Sequence, residues 1–331
     1  MMKKVLVARA VFPEVLEALR AHFEVESNRD DTVWSKSQLI ERLQGKAGVF
    51  ATGSERIDAE VLAACPGLEA VCNMAVGYNN IDVAACTARG IVVTNTPDVL
   101  TETTADFGFA LMMAAARRMA ESERYLRRGE WLKWHYDQFM SPDVHGTTLG
   151  ILGMGRIGQA IARRGALGFG MGVIYHNRTR LPADKEAAVH ARYVDKATLL
   201  READHLVLVV PYSPASHHAI GAAELAQMKP TATLTNIARG GVVDDAALAA
   251  ALKERRIAAA GLDVFEGEPR VDPALLEVPN VVLTPHIASS SVRTRRAMAD
   301  LAADNLIAAL GCGSRAGRPP TPVNAEALAA R

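Results

Sequence analysis

Surplus charge of one sign, aromatic side chains, paired cysteines and long apolar runs are all scarce in this chain of 331 residues. Lys plus Arg and Asp plus Glu each number 37, so nothing in the balance points to nucleic acid or an anionic membrane as a partner. The four cysteines, Cys65, Cys72, Cys86 and Cys312, show no C-x-x-C spacing and no metal-ligand pattern. They read as reduced thiols of a cytoplasmic protein, with no metal expected. The first residues, MMKKVLVARAVFPEV, hold an apolar run of strand length that Arg9 and Pro13 break. That is too short for a signal-peptide core or a membrane span. There is no internal repeat of solenoid length and no low-complexity segment beyond alanine richness. What remains is a chain that is 49% apolar, enough for two cores, and of a length that suggests two domains.

The stretch Gly150–Arg180, GILGMGRIGQAIARRGALGFGMGVIYHNRTR, organises the rest. It reads as strand, glycine-rich turn, helix, strand. Gly153, Gly155 and Gly158 fill the positions of G-x-G-x-x-G, which need a tight turn, room for backbone to approach a pyrophosphate, and close helix–strand packing. The helix that starts near Arg156 would aim its free amides and the positive end of its dipole at that pyrophosphate. The second strand, Val173–His176, ends in Asn177-Arg178-Thr179-Arg180, and no acid follows before Asp184. An acid roughly 20 residues past the glycines marks a free ribose 2′-hydroxyl. Its absence, with Arg178 and Arg180 in its place, predicts NADP(H) in preference to NAD(H), because a guanidinium pairs with a 2′-phosphate that a carboxylate would repel.

Along the chain, residues 3 to about 100 alternate short apolar runs (Val5–Ala8, Gly48–Ala51, Ala70–Met74, Ile91–Thr94) with helix-like pieces (Pro13–His22, Ser37–Leu43, Asp58–Ala64, Asp82–Ala88). Such alternation predicts a parallel sheet covered on both faces. Gly77, in the loop after the third run, would let backbone amides approach a small anion, although a plain turn is an equal reading. Thr101–Arg128 reads as one long helix. After it, Trp131, Trp134 and Tyr136 read either as packing against that helix or as a subunit-interface arm.

Beyond the nucleotide unit, Ala203–Pro211, Ala232–Ile237, Ile257–Leu262 and Val281–Thr284 read as buried strands. The last three lead into Arg239, into Asp263 with Glu268, and into His286. A doubly wound sheet puts its strand carboxyl ends on one edge, beside a bound dinucleotide. An imidazole, whose ordinary pKa of about 6.5 suits proton transfer near neutrality, would protonate a carbonyl oxygen there. A carboxylate at Glu268 would orient it, and Arg239 would bind a substrate carboxylate bidentately. The set fits reduction of a 2-keto acid to a 2-hydroxy acid. The helix from Arg293 to about Leu310 is expected to cross back onto the first domain, with RTRR at 293–296 on its surface. The His217-His218 pair lacks metal-type helical spacing and reads as surface.

GILGMGRIG, NIARGGVVDDAAL, AAGLDVFEGEP and LTPHIAS resemble the signature segments of the D-isomer-specific 2-hydroxyacid dehydrogenases, over almost the whole chain. VGYNNIDV, TPDVLTETTADFGFALM, DVHGTTLGILGMGRIG and ARYVD bring it nearest to the bacterial glyoxylate/hydroxypyruvate (2-ketogluconate) reductases. The resemblance implies two doubly wound parallel-sheet domains with a cleft between them. One is a discontinuous flavodoxin-like substrate lobe (1–100 plus 290–331). The other is a Rossmann nucleotide lobe (101–289) with a dimerisation arm at 120–145. It implies Arg239, Glu268 and His286 as the catalytic set, with Val76, Gly77, Arg239, His286 and Trp134 (from the partner of a homodimer) toward the substrate. It places Met154, Arg156, Ile157, Asn177, Arg178, Thr179, Pro211, Ile237, Ala238, Asp263 and Ala288 with the three glycines around the cofactor. Ala288 departs from the glycine many relatives carry. The lack of an additional C-terminal regulatory domain argues against the larger serine-pathway enzymes of the family. A relative acting on phosphoglycerate, formate or phosphite is the alternative enzyme, and a nucleotide sensor without catalysis the alternative class.

Overall fold

The computed structural model describes residues 2–329. The chain divides into two compact units, one running from the N-terminus to Leu100 and resuming at Ser291, the other spanning Thr101–Ser290.

In the first unit the strands are β1 (Lys4–Val7), β2 (Glu24–Ser27), β3 (Gly48–Ala51), β4 (Ala70–Asn73) and β5 (Val92–Thr94). They are parallel, in the order β2-β1-β3-β4-β5, a doubly wound sheet whose order reverses between β1 and β3. Side chains alternate across it, as the two-residue period of a strand requires. Val5 and Val7 pack with Leu19 of helix Pro13–Arg20 and Leu306 of helix Val292–Ala309. Leu6 and Ala8 pack on the opposite face with Leu39, Leu43, Leu62 and Cys86. Helix Pro13–Arg20 starts at a proline with no side-chain cap, whereas the helices on the opposite face start where a side chain accepts from an otherwise unpaired amide. Asp58 caps the amide of Val61 at 3.2 Å and Asp82 that of Ala85 at 2.9 Å, while Ser35 and Gln38 form a reciprocal capping box.

The second unit holds β6 (Thr148–Leu152), β7 (Gly172–His176), β8 (Ala191–Tyr193), β9 (His205–Leu208), β10 (Thr233–Asn236), β11 (Ala259–Leu262) and β12 (Val281–Leu283). All are parallel, in the order β12-β11-β10-β9-β6-β7-β8. The order reverses between β6 and β9, and the glycine turn leaves the carboxyl end of β6 at that point. A switch of this kind opens a crevice for ligands. Helix Thr101–Ala116 lies on the face that carries Ile151, Val173 and Val207, and buries Phe109, Leu111 and Met112 there. The helix of the glycine turn is tied to it through ion pairs of Arg163 with Glu102 (2.7 Å) and Arg164 with Asp106 (2.8 Å).

The fold departs from the sequence expectations in three places. β2 and β8 were not foreseen. Both are sheet edges, half-exposed, and so lack the apolar run that marks an interior strand. The single helix expected over Thr101–Arg128 is two, Thr101–Ala116 and Met119–Arg127. Arg118 between them takes a left-handed backbone (φ 51°), which costs an L-residue about 1–2 kcal/mol. Its guanidinium is held by Glu121 at 2.8 and 2.9 Å and lies over the ring of Phe139. Finally, the aromatic segment does not pack against that helix: Trp134 is 75% and Tyr136 82% exposed, and Trp131 and Leu132 face solvent as well. Among the described residues no helix is long and apolar enough to cross a membrane.

Candidate active site

The glycine turn meets each of its three demands. Gly153 has φ 103°, and a Cβ there would come within 2.7 Å of the Val209 backbone at the end of β9. A Cβ on Gly158 would lie 2.4 Å from the Gly153 carbonyl oxygen, so helix and strand touch through backbone. Around Gly155 a Cβ would meet nothing within 4 Å. The turn is therefore tight at its first and third glycines and open at the second, where backbone must approach a phosphate. Gly155 stands at the N-cap of helix Arg156–Arg163 without a side-chain cap of its own, and the amides of Ile157 and Gly158 have no backbone partner among the described residues. Met154 is buried in the core and Ile157 half-buried, while Arg156 faces solvent. These residues fit a dinucleotide.

At the end of β7, Asn177 turns inward, its Oδ1 accepting from the Met154 amide at 2.7 Å. Arg178 and Thr179 are exposed, and Arg178 makes no ion pair among the described residues. Arg180 differs from expectation. It donates to both oxygens of Glu186 at 2.9 and 2.7 Å, and Tyr175 donates to the same carboxylate at 2.6 Å. With Arg180 first and Tyr175 second, these partners draw the Glu186 carboxyl down to about 2. Arg180 is thus neutralised within the protein, whereas Arg178 stays exposed with no ion pair among the described residues.

The three neighbouring strands β10, β11 and β12 end in the loops that carry Arg239, Glu268 and His286. His286 Nδ1 lies 2.8 Å from Glu268 Oε2, and Glu268 Oε1 accepts from the Phe265 amide at 2.9 Å. Burial pushes the Glu268 carboxyl up. The hydrogen bond and charge of His286, the Phe265 amide and the charge of Arg239 together outweigh it, and the group ends below the usual carboxylate range. Glu268 is therefore an anion near neutral pH, able to fix one ring nitrogen of His286 and leave Nε2 toward a reactant. Arg239 is half-buried, its guanidinium bonded to the Ala238 carbonyl at 2.7 Å. Burial makes it more acidic than an ordinary arginine, and Glu268 offsets part of that effect. Arginine is nonetheless not deprotonated in proteins, so the group remains a cation. Buried Ile237 and Ala238 line the approach to it from β10.

Asp263 is fully buried beneath the His286 loop. Its carboxylate accepts from Thr284 Oγ1 (2.7 Å) and from the amides of Ile287 and Ala288 (both 2.8 Å), while its carbonyl accepts from His286 N at 2.9 Å. His286 itself has φ 54°, a strained backbone that persists only where the surroundings dictate it. Holding that loop is a task the sequence reading did not assign to Asp263. Pro211 is exposed after β9, its carbonyl accepting from Ser216 Oγ at 2.8 Å.

The remaining expected residues lie elsewhere. Val76 and Gly77, in the first unit, follow β4. Their carbonyls are held by Asn95 (2.8 Å) and Asn73 (2.9 Å), and neither amide has a partner among the described residues. The two asparagines were missed because nothing local marks them; their role depends on a loop folded back over β4. Trp134 stands on the exposed segment of the second unit. Gly240, next to Arg239, was also missed, although the double glycine after β10 was its signal.

Residues 109–288 match the NAD-binding domain of the D-isomer specific 2-hydroxyacid dehydrogenases. Over its full length the chain is 48% identical to a glyoxylate reductase of Thermococcus onnurineus, covering 98% of that relative. It is 47% identical to a glyoxylate reductase of Thermococcus gammatolerans, with 99% of this chain and 98% of the relative covered. Among solved structures, the NADPH-dependent glyoxylate/hydroxypyruvate reductase of Sinorhizobium meliloti, in complex with NADP and malonate, superimposes with a TM-score of 0.86 at 38% identity, covering 99% of this chain and 98% of that one. A protein of Thermus thermophilus gives a TM-score of 0.87 at 41% identity over 97% and 99% of the two chains.

Proposed function

Because the chain belongs to the D-isomer-specific 2-hydroxyacid dehydrogenases, NAD(P)-dependent oxidoreductases, we propose that it reduces glyoxylate and hydroxypyruvate, and by extension 2-ketogluconate, to D-2-hydroxy acids with NADPH. The observation that carries this reading is the His286–Glu268 pair at 2.8 Å, beside Arg239, in the same sheet as an open glycine turn. A bound nicotinamide supplies hydride chemistry. The side chains supply the rest. Arg239 binds the substrate carboxylate and stabilises negative charge growing on the carbonyl oxygen. His286 gives that oxygen a proton from Nε2, and Glu268 holds the ring and balances its charge. Asp263 keeps the His286 loop in place. The free amides of Val76 and Gly77 suit a carboxylate, and a homodimer would cover the exposed aromatics of the 120–145 segment and bring Trp134 toward a partner's substrate.

Glyoxylate and hydroxypyruvate should be turned over with NADPH oxidation, and phosphoglycerate, formate and phosphite should not, in a spectrophotometric panel. No turnover with any 2-keto acid would overturn the reading.

The cofactor preference rests on the open Arg178. Arg178→Ala should lower kcat/KM for NADPH about tenfold or more while leaving NADH nearly unchanged, a cost in line with one charge-assisted phosphate contact. Arg180→Ala, whose side chain is bound to Glu186, should leave the NADPH/NADH ratio near wild type. Equal loss with both cofactors in Arg178→Ala would remove it as the selector.

A further inference from the structure

The histidine pair read as plain surface acquires a third partner in the fold. We propose that His217, His218 and Glu266 form a binding site for a divalent transition-metal ion of the Zn2+ class, built on the loops that follow β9 and β11. It goes beyond the keto-acid reduction, in which none of the three residues takes part.

The three donors lie within 4.8 Å of one another. The two imidazoles are stacked, centroids 3.9 Å apart and 24° from parallel, and His218 Nε2 is 2.8 Å from Glu266 Oε2. His217 has an oxygen on its Nδ1, Tyr212 Oη at 3.2 Å, while Asp244 Oδ2 stands 3.9 Å from His218 Nδ1, beyond hydrogen-bond distance. Metal-bound histidines characteristically carry such outer partners, which fix the tautomer and aim the free nitrogen at the ion. Two imidazoles and a carboxylate are a donor set suited to Zn2+. Tetrahedral donors at about 2.0–2.1 Å from an ion stand roughly 3.3 Å apart, so the two imidazoles must turn out of their stack to bring both nitrogens to one ion.

The backbone behind the donors is held. His218 N donates to the Gly241 carbonyl at 2.7 Å, Glu266 N to Asp245 Oδ2 at 2.9 Å, and Asp244 caps Ala247 N at 2.9 Å. The side chains of His218 and Glu266 remain 36% and 44% exposed, within reach of an ion from solution. No helical spacing announced the site, because Glu266 is 48 residues from His218 and only the adjacency of the loops after β9 and β11 brings them together.

The test is a calorimetric titration of the tag-free, EDTA-treated full chain with ZnCl2. The proposal expects one equivalent bound with micromolar or tighter affinity, weakened about tenfold or more by His217→Ala and by Glu266→Gln, and retained by His286→Ala, which removes the other imidazole–carboxylate pair. Zn2+ should also raise the melting temperature of the wild type and not of the two ligand variants. Absence of binding up to millimolar Zn2+, unchanged affinity in both ligand variants, or loss of binding in His286→Ala would each overturn it.

Discussion

His286→Ala is expected to lower kcat for keto-acid reduction by about a hundredfold or more, with the dissociation constant for NADPH little changed. General-acid catalysis contributes about 10²–10⁴ in rate, and a hundredfold corresponds to roughly 2.7 kcal/mol of barrier. The loss should fall on turnover, because the glycine turn is built from β6, the end of β9 and helix Arg156–Arg163 and uses nothing from His286. The loop itself should survive. Asp263 holds it through Thr284, Ile287 and Ala288, and the backbone bond from residue 286 to the Asp263 carbonyl does not need the ring. Glu268 keeps the Phe265 amide and the charge of Arg239. The variant should therefore melt near the wild-type temperature, and added imidazole should restore part of the rate if a missing proton donor is the whole defect. Near-normal turnover would remove His286 as the acid, and a melting temperature lowered by more than a few degrees would move the effect from chemistry to loop structure.

Local signals carried most of the fold and the core of the candidate site into the sequence. The glycine turn was legible because three backbone demands map onto one residue type at fixed spacing, and Gly153 and Gly158 are crowded by backbone as that motif requires. The interior strands were legible because burial on both faces leaves an unbroken apolar run. Arg239, Glu268 and His286 could be grouped because a parallel sheet gathers its strand ends, although their contact distances could not be read. What the sequence hid depends on partners distant along the chain or on backbone with no residue signature. β2 and β8 are edges with one open side. The break at Arg118 has neither glycine nor proline to announce it. Arg180 looked as free as Arg178, but the short helix Ala183–Ala187 brings Glu186 to it, and Tyr175 of β7 holds the same carboxylate. Asp263 looked like an open strand-end acid, and its three bonds to the His286 loop depend on the pairing of β11 with β12.

The sharpest demand on the site comes from Gly240. A Cβ there would sit 1.7 Å from the carbonyl oxygen of Phe265, 2.3 Å from its carbonyl carbon and 2.9 Å from the amide nitrogen of Glu266. All three are backbone atoms, so no rotamer can relieve the overlap. The loop carrying Arg239 and the loop carrying Glu268 are thus packed main chain to main chain, and that contact sets the spacing between guanidinium and carboxylate. An ordinary carbon–oxygen contact is about 3.3–3.6 Å, so Gly240→Ala must drive the loops apart by roughly 1.5 Å. Displacement of catalytic groups by about 1 Å costs on the order of a hundredfold, and kcat/KM for glyoxylate should fall by at least that factor. Overpacking of this kind also lowers stability by about 1–3 kcal/mol, so general weakening needs a control. Gly267→Ala provides it. Gly267 lies in the same loop with φ 80° and nothing within 4 Å of a Cβ, so alanine costs about 1–2 kcal/mol of backbone strain and pushes on no neighbour. If rate follows loop spacing, Gly267→Ala should melt earlier yet keep most of its activity below the melt, while Gly240→Ala should be inactive even where it remains folded. Comparable activity in the two variants at equal fractions folded would show that the Arg239–Glu268 spacing does not limit the reaction.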